Sequence, residues 1–385
     1  MNSKRVWLIV GLLLTAMVMV ACQPETVEVE RVVTETVIQE VQVPVEVEVI
    51  VTRVVVETET VTEVVEVDSD RAPLGSEERP IKVLFVPSVE AAVIVSGGEV
   101  MAEALKEATG LNFVVSVPTS YAATIEEMCA SPEDTIGFIP AQGYVLANQR
   151  CGVTVGGTAV RRGLSWYTAM FVVPIDSDIE TLDDLVGKTW AIPDFASTSG
   201  YLYPYTQLFD LGLEPGEIVE TGSHNNAMLA VYNGEVDFGT AFFSPPVVPG
   251  RTWQYGIDDA ELWREAGEIT INESGHSVVE GFRVLDARAS VVSTAPDIFE
   301  KTRILALTPQ IPNDTVSFGP QFPLSLAQRI VAALIEFTAS EACMQSICSQ
   351  DFYSWTGIEA QADSFYDPVR AALNALGLTE EDILR

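Results

Sequence analysis

The chain has 385 residues, in which 55 acidic side chains outnumber 21 basic ones and give a formal net charge of −34. This acidic balance argues against nucleic-acid binding, for which a basic face is expected. It also means that any bound anion must be held by local dipoles against an adverse overall field.

The first 22 residues have the features of an export signal. Lys4 and Arg5 precede an apolar run, residues 6–20, that is too short to span a bilayer comfortably. The run leads into Ala21-Cys22, and residues 1–22 resemble a bacterial lipoprotein signal, in which the cysteine is lipid-modified and becomes the new N-terminus. The resemblance implies stable attachment to the outer face of the cell membrane. A plain signal peptide or a short membrane anchor is the alternative.

Residues 23–78 form a low-complexity segment rich in Val, Glu and Thr. Alternating Val and Glu has the period of a strand with one apolar face. No turn residue interrupts the repeat apart from Pro44, so we predict that it does not fold back into a sheet by itself. Repulsion among its acids favours extension, which predicts a stalk. An associating β-rich or coiled structure, or a surface-adhesion element, is the alternative.

The cysteine count predicts disulfides rather than a metal site. Beyond Cys22, the cysteines are Cys129, Cys151, Cys343 and Cys348. An even number in an exported protein indicates two disulfides. Sequence proximity suggests Cys129–Cys151 and Cys343–Cys348, although four cysteines allow three pairings. No CxxC spacing occurs and only two histidines are present, so we expect no metal.

The pattern after the stalk predicts an α/β fold with two lobes. Strands are predicted at 81–87, 112–117 and 135–139, alternating with helices at 98–109, 121–129 and 143–149. The alternation restarts with strands at 167–174, 189–193, 218–221 and 236–243, and with helices at 179–186, 199–211 and 227–233. Such alternation implies sheets of mostly parallel strands with crossover helices.

These units predict the organisation of the folded part. Residues 79–172 and 309–385 form the first lobe, and residues 173–308 form the second. Residues 244–288 do not continue this alternation and are predicted to be an insertion on the second lobe. Packing against its own lobe is the plainest interpretation, and contact with the transporter or a cap over the cleft are the alternatives. Helices return at 323–339 and 366–376. A ligand is expected in the cleft between the lobes, beyond the carboxyl ends of the strands.

Two helix starts carry candidate anion-binding groups. In ASTSGYLYP, Ser197, Thr198 and Ser199 open a helix directly after a strand. Helix N-terminal N–H groups and hydroxyls can together hold a tetrahedral oxyanion without a basic side chain. His224 opens the next helix and could donate an imidazole N–H to the same anion. The alternatives are an ordinary N-cap for the hydroxyl run and a solvent-facing position for His224.

Enzyme motifs are absent from the sequence. Gly187-Lys188-Thr189 looks like the end of a phosphate-binding loop, but that motif needs a glycine where Leu182 stands. No Gly-x-Ser-x-Gly pentapeptide surrounds any serine. We therefore expect neither catalysis nor a cofactor.

Several signatures occur in order along the chain: SYAATIEEM, GFIPAQGYVLANQRCGV, DSDIETLDDLVGKTWAIPDFASTSGYLYP, TGSHNNAMLAVYNGEVDFG and LALTPQIPND. Through them the chain resembles the phosphonate-type solute-binding proteins of ABC importers. The resemblance implies a type 2 periplasmic-binding fold, a phosphonate, phosphite or phosphate ligand and an ABC permease as partner. It implies that Ser197, Thr198 and Ser199 hold the oxyanion together with His224. We expect a monomer.

The same resemblance implies further ligand-binding positions. Tyr121 and Tyr144 match places for phenol donors or ring walls, and Asp314 matches an acid in relatives that bind an amino-bearing phosphonate. Ordinary core aromatics and a turn-forming Asp are the alternatives. Residues 240–243 contain no acid, so a small or apolar substituent fits equally well. A receptor for a sulfonate, nitrate or vitamin precursor, a ligand-sensing surface lipoprotein, and an enzyme are the competing functions.

Overall fold

The computed structural model describes residues 27–37, 51–61 and 71–384. The chain divides into two compact units, residues 1–71 and 72–385, each of which is considered by itself. The predicted signal, including Cys22, and part of the predicted stalk lie outside the described residues.

In the first unit, strand β1 (Val27–Val37) pairs antiparallel with strand β2 (Val51–Val61) over their full lengths. The prediction that this segment does not fold back into a sheet is therefore wrong. Residues 38–50 connect the two strands, and a connection of this length lets the chain reverse direction without a two-residue turn. The many Val and Thr residues of the two strands favour β-structure.

The second unit contains the remaining strands and the helices. The strands are β3 (Ile81–Phe85), β4 (Phe113–Ser116), β5 (Thr135–Ile139), β6 (Thr154–Val160), β7 (Trp166–Pro174), β8 (Trp190–Ile192), β9 (Ile218–Glu220), β10 (Phe238–Phe243), β11 (Thr270–Ile271), β12 (Ser277–Val279), β13 (Phe282–Arg283), β14 (Thr302–Leu307), β15 (Ile311–Pro312), β16 (Thr315–Phe318) and β17 (Gly357–Glu359). The α-helices are α1 (Ala91–Thr109), α2 (Tyr121–Ala130), α3 (Ala141–Cys151), α4 (Tyr203–Asp210), α5 (His224–Tyr232), α6 (Ile298–Lys301), α7 (Leu324–Thr338), α8 (Asp367–Leu376) and α9 (Glu380–Ile383).

Two larger sheets define two lobes. The first has the order β17-β6-β16-β5-β3-β4, and the second has the order β14-β7-β10-β8-β9 with β15 also on β7. The prediction of mostly parallel sheets needs correction, because both sheets are mixed. Strands β4-β3-β5 and β9-β8-β10 run parallel, whereas the remaining neighbours pair antiparallel. Strands β6, β14, β16 and β17 were not predicted, and they supply most of the antiparallel part.

The chain crosses between the lobes twice. Residues 161–165 connect β6 in the first sheet to β7 in the second, and Asn313 and Asp314 connect β15 to β16 on the return. The change of sheet therefore precedes the predicted boundary at 172/173, because β7 pairs with β10 and β14 rather than with the first sheet. The return lies after the predicted boundary at 308/309.

Among the described residues the first lobe has one apolar cluster, the second lobe has two, and a fourth cluster joins the lobes. This joining cluster combines Tyr121 and Tyr144 of the first lobe with Leu202 and Tyr203 of the second, together with Tyr366 from the C-terminal region. The insertion, residues 244–288, places Trp253 and Trp263 in an apolar cluster of the second lobe, so this part of it packs against its own lobe. Both expected disulfides, Cys129–Cys151 and Cys343–Cys348, are present.

Candidate functional site

The hydroxyl run after β8 opens a helical segment that begins with a π-helical turn, Thr198–Leu202, and continues as α4. Ser197 is the N-cap, and its Oγ accepts a hydrogen bond from the Gly200 N–H at 3.0 Å. A Cβ on Gly200 would collide with the Pro193 ring, so glycine is required for this close packing. The Thr240 hydroxyl donates to the Gly200 carbonyl and accepts from Trp190 Nε1, which fixes the turn to the sheet.

A cavity of about 60 Å³ lies between the lobes directly at this turn. Its lining includes Ser197 and Ser199 from the second lobe and Tyr121 and Asp314 from the first-lobe side, and His224 also faces it. A single water needs about 10–15 Å³, so the cavity admits a ligand of several non-hydrogen atoms. Five of the seven predicted ligand-binding residues therefore share one cavity.

His224 supplies a neutral imidazole to this cavity. Its Nε2 lies 3.5 Å from Ser197 Oγ, and among the described residues its Nδ1 has no hydrogen-bond partner. The ring is buried against the edge of Phe242, and burial lowers its pKa to about 3. At neutral pH the ring therefore has one N–H to donate and carries no charge.

Thr198 does not line the cavity, although it stands between two serines that do. Its Oγ1 accepts a hydrogen bond from the Gln142 N–H at the start of α3, at 2.8 Å. Successive residues of a helix point about 100° apart, so three consecutive hydroxyls cannot all face one ligand. The Thr198 hydroxyl thus joins the two lobes and does not line the cavity, and the role of Thr198 as a ligand contact stays a prediction.

Tyr144 is also outside the cavity. Its hydroxyl donates to Asp363 Oδ1 at 2.6 Å, and its ring packs edge-on against Tyr366. It is an anchor for the C-terminal region, and the alternative of a core aromatic describes it correctly.

Asp314 lines the cavity but is already paired. Arg161 Nη2 donates to Asp314 Oδ2 at 2.6 Å, while Arg161 Nη1 donates to Asn313 Oδ1 and Nε to the Tyr353 carbonyl. The carboxylate is therefore neutralised within the chain and is a poor counter-ion for a ligand ammonium group. The sequence analysis did not identify Arg161, which lies on the first crossing segment and carries no motif.

Two further tyrosines line the cavity, and the sequence analysis identified neither of them. Tyr167 follows the first crossing, and Tyr353 comes from the C-terminal region. Burial raises the pKa of Tyr121, Tyr167 and Tyr353 above the usual value, with Asp314 adding to the rise in each. All three phenols keep their protons at neutral pH and can donate.

Contacts across the cleft hold the two lobes together around the cavity. The Tyr121 N–H donates to Asp194 Oδ2 at 3.1 Å, and the His224 N–H donates to the Ser88 carbonyl at 3.2 Å. The Gln142 side chain donates to the Phe195 carbonyl at 3.1 Å. Helix starts from both lobes therefore meet at one place.

The described residues contain no group of three or more His, Cys, Asp or Glu side chains placed to hold a metal ion. Within the same part of the chain, no helix has both the length and the apolar character of a membrane span.

Two mixed sheets joined by two crossings, with a cavity between them, define the two-lobed class of periplasmic binding proteins. Solved structures of this class are similar to the chain. A binding protein component of an ABC phosphonate transporter from Pseudomonas aeruginosa has a TM-score of 0.58 at 17% identity, over 76% of this chain and 85% of that one. PhnD1 from Prochlorococcus marinus (MIT 9301), in complex with methylphosphonate, has a TM-score of 0.57 at 14% identity, over 77% and 98%.

Residues 83–366 match the family described as ABC transporter, phosphonate, periplasmic substrate-binding protein. The chain belongs to this family of phosphonate-type binding proteins. It is also 26% identical, over 175 residues, to the phosphate-import protein PhnD of Mycolicibacterium smegmatis (strain ATCC 700084 / mc(2)155), which covers 42% of this chain. The chain spans about half the length of that curated relative, 54%.

Proposed function

We propose that this protein is an extracytoplasmic binding lipoprotein of an ABC importer, which closes its lobes over a phosphonate-like oxyanion and delivers it to a permease. The observation that carries the proposal is the convergence of Ser197, Ser199 and His224 on one buried cavity opposite Tyr121. Hydroxyls and a neutral imidazole offer donors to the acceptor oxygens of an ionised phosphonate, phosphite or phosphate.

The electrostatics of the cavity support an anion despite the net charge of −34. The carboxylate of Asp314 is neutralised by Arg161 at 2.6 Å, so no unpaired carboxylate of the described lining faces the ligand. Hydrogen bonds to a charged group are stronger than neutral ones, and they strengthen further in a site that excludes water.

Transport follows from the position of the cavity between the lobes. A ligand that contacts both Ser199 and Tyr121 stabilises the closed arrangement, and it shifts an equilibrium between open and closed forms by its differential affinity. The permease partner would recognise the closed form.

We infer that the site binds without turnover. A serine nucleophile needs a base whose second nitrogen is oriented by a third group. Ser197 and His224 are 3.5 Å apart, but Nδ1 of His224 has no partner among the described residues. Recovery of the bound ligand unchanged after prolonged incubation tests this point.

The test of ligand class is isothermal titration of the purified protein with methylphosphonate, phosphite, phosphate, a sulfonate and nitrate. We expect a phosphorus oxyanion to bind, and Ser199→Ala to weaken it about 10- to 100-fold, the value of a hydrogen bond to a charged group. Ser325→Ala removes an exposed hydroxyl on α7 and serves as the matched control. Binding of the sulfonate or nitrate alone would overturn the proposal, as would a Ser199→Ala variant with unchanged affinity.

The cellular arrangement is part of the proposal. Residues 1–22 would be the signal, Cys22 the lipidated residue, and residues 23–78 the stalk that connects the lipid to a monomeric folded part. Incorporation of a labelled fatty acid that Cys22→Ala abolishes would support the anchor. Recovery of the protein with its signal intact, or free of lipid, would contradict it. Co-purification with a permease favours transport, whereas co-purification with a kinase favours sensing.

A further inference from the structure

A second cavity of about 140 Å³ adjoins the first. The two share Arg161, Tyr167 and Ser244 in their walls, so a ligand held by its oxyanion in the first cavity has room for a substituent in the second. The lining of the second cavity comes from the first crossing segment, from the start of β7 and from the start of the insertion, residues 244–253. The insertion therefore contributes to the cleft as well as packing on its own lobe.

The walls of the second cavity carry positive charge and no acid. They include Arg161, Arg162 and Arg251, and none of the lining residues is Asp or Glu. Arg161 is paired with Asp314, and Arg251 is paired with Asp258 through both guanidinium nitrogens at 2.5 and 2.7 Å. Among the described residues, the guanidinium of Arg162 has neither an ion-pair nor a hydrogen-bond partner.

Arg162 is also crowded by like charges. Burial, together with the neighbouring guanidiniums of Arg283 and Arg161, lowers its pKa to about 10. The Arg283 guanidinium donates to the Gln350 amide oxygen, and the carboxylate that acts on it, Asp351, does not line the second cavity. A partly buried cation without an ion-pair partner is costly unless an anion is bound beside it.

We propose that the second cavity is a subsite for an anionic substituent, and that the protein selects phosphonates carrying a carboxylate or a second oxyanion over alkyl and aminoalkyl phosphonates. This inference rests on the proposed function, because the first cavity must hold the phosphonate. Arg162 is the residue that binds the substituent, because two N–H groups of its guanidinium can donate to both oxygens of a carboxylate. An ammonium substituent would instead face uncompensated positive charge.

The test compares ligands that differ only in the tail. Isothermal titration is carried out with phosphonoacetate, with its neutral isostere phosphonoacetamide, and with methylphosphonate and 2-aminoethylphosphonate. We expect phosphonoacetate to bind at least tenfold more tightly than phosphonoacetamide, and 2-aminoethylphosphonate to bind more weakly than methylphosphonate. The Arg162→Gln variant is expected to bring the ratio of phosphonoacetate to phosphonoacetamide close to one while leaving methylphosphonate affinity unchanged.

Two further variants make the test specific. Arg162→Lys keeps the positive charge and should retain part of the preference. Arg150→Gln removes a positive charge at the C-terminal end of α3, where Arg150 forms an ion pair with Glu380. This control variant should leave all four affinities unchanged. Equal affinity for phosphonoacetate and phosphonoacetamide in the unmodified protein overturns the subsite alone. Failure of every phosphonate to bind overturns the proposed function and the subsite together.

Discussion

Asp194 of the second lobe accepts a hydrogen bond from the backbone N–H of Tyr121 in the first, at 3.1 Å, and a second from the Ala196 N–H at 2.7 Å. The carboxyl group thus joins the segment before the hydroxyl run to the first residue of α2. It is buried, and burial raises its pKa to about 6 in spite of the two N–H donors.

This raised pKa predicts a pH dependence of stability. Because the folded-state pKa is above the usual 3.8, the protonated form is favoured in the structure, and the contribution is fully present below pH 4 and lost as pH rises to about 6. A shift of about two units corresponds to about 3 kcal/mol. Thermal unfolding of the unmodified protein and of Asp194→Asn from pH 4 to 7 should show a difference that changes across this window and is constant above it. The exposed Asp183→Asn variant is the control, and a difference that does not vary with pH would contradict the prediction.

The neutral state of His224 predicts how anion binding responds to pH. Because burial lowers its pKa to about 3, the free protein gains no imidazolium charge between pH 5 and 8. His224→Gln keeps an N–H donor of similar reach, so the ratio of its anion affinity to that of the unmodified protein should stay constant over this range. Titration calorimetry at several pH values measures the ratio, in which ionisation of the ligand cancels. An affinity that rises only in the unmodified protein as pH falls through 6.5 would show that the ring becomes charged.

The ion pair between Arg161 and Asp314 predicts a change of ligand charge preference. Arg161→Gln leaves the Asp314 carboxylate in the cavity without its partner at 2.6 Å, which is unfavourable for a bound anion. We expect oxyanion affinity to fall at least tenfold and the double variant Arg161→Gln/Asp314→Asn to recover part of it. Calorimetry on the single and double variants measures the coupling. Independent, additive effects would show that the pair does not act as a unit.

The disulfides predict unequal contributions to stability. Cys129–Cys151 closes a longer loop, with a sequence separation of 22, than Cys343–Cys348, with a separation of 5. Loss of loop-closure entropy in the unfolded chain predicts about 3 kcal/mol for the first and about 2 kcal/mol for the second. Denaturant unfolding of the Cys129→Ala/Cys151→Ala and Cys343→Ala/Cys348→Ala variants tests the order. A greater loss from the second pair would indicate that packing of the buried Cys343 outweighs chain entropy.

The sequence predicted those parts of the site that lie at helix starts. Ser197, Ser199, His224 and Tyr121 each stand at or beside the beginning of a helix, where spacing and capping patterns are visible in the chain. The side chains of two other predicted contacts, Thr198 and Tyr144, lie outside the cavity, because sequence position does not fix the direction of a side chain.

The missed residues are those brought together only by the return of the chain. Arg161 is on the first crossing, Tyr167 directly follows that crossing, and Tyr353 is in the C-terminal region. No local pattern links them, because their contacts depend on strands β6 and β16 pairing within the first sheet. The same unpredicted strands pair antiparallel and make the first sheet mixed. Their absence from the sequence prediction therefore explains both the missed site residues and the wrong expectation of a mostly parallel sheet there.

The positions of Arg161 and Asp314 have a mechanical consequence. Each lies on one of the two segments that connect the lobes, and any opening of the lobes must bend these segments. The ion pair, at 2.6 Å, joins the two segments beside the cavity. If the protein binds an anion as proposed, the same two side chains therefore join the crossing segments and set the charge of the first cavity. A substitution at this pair that changes the relative affinity for different anions will also change the equilibrium between the open and closed forms. Ligand selectivity and ligand release therefore cannot be changed independently at these two residues.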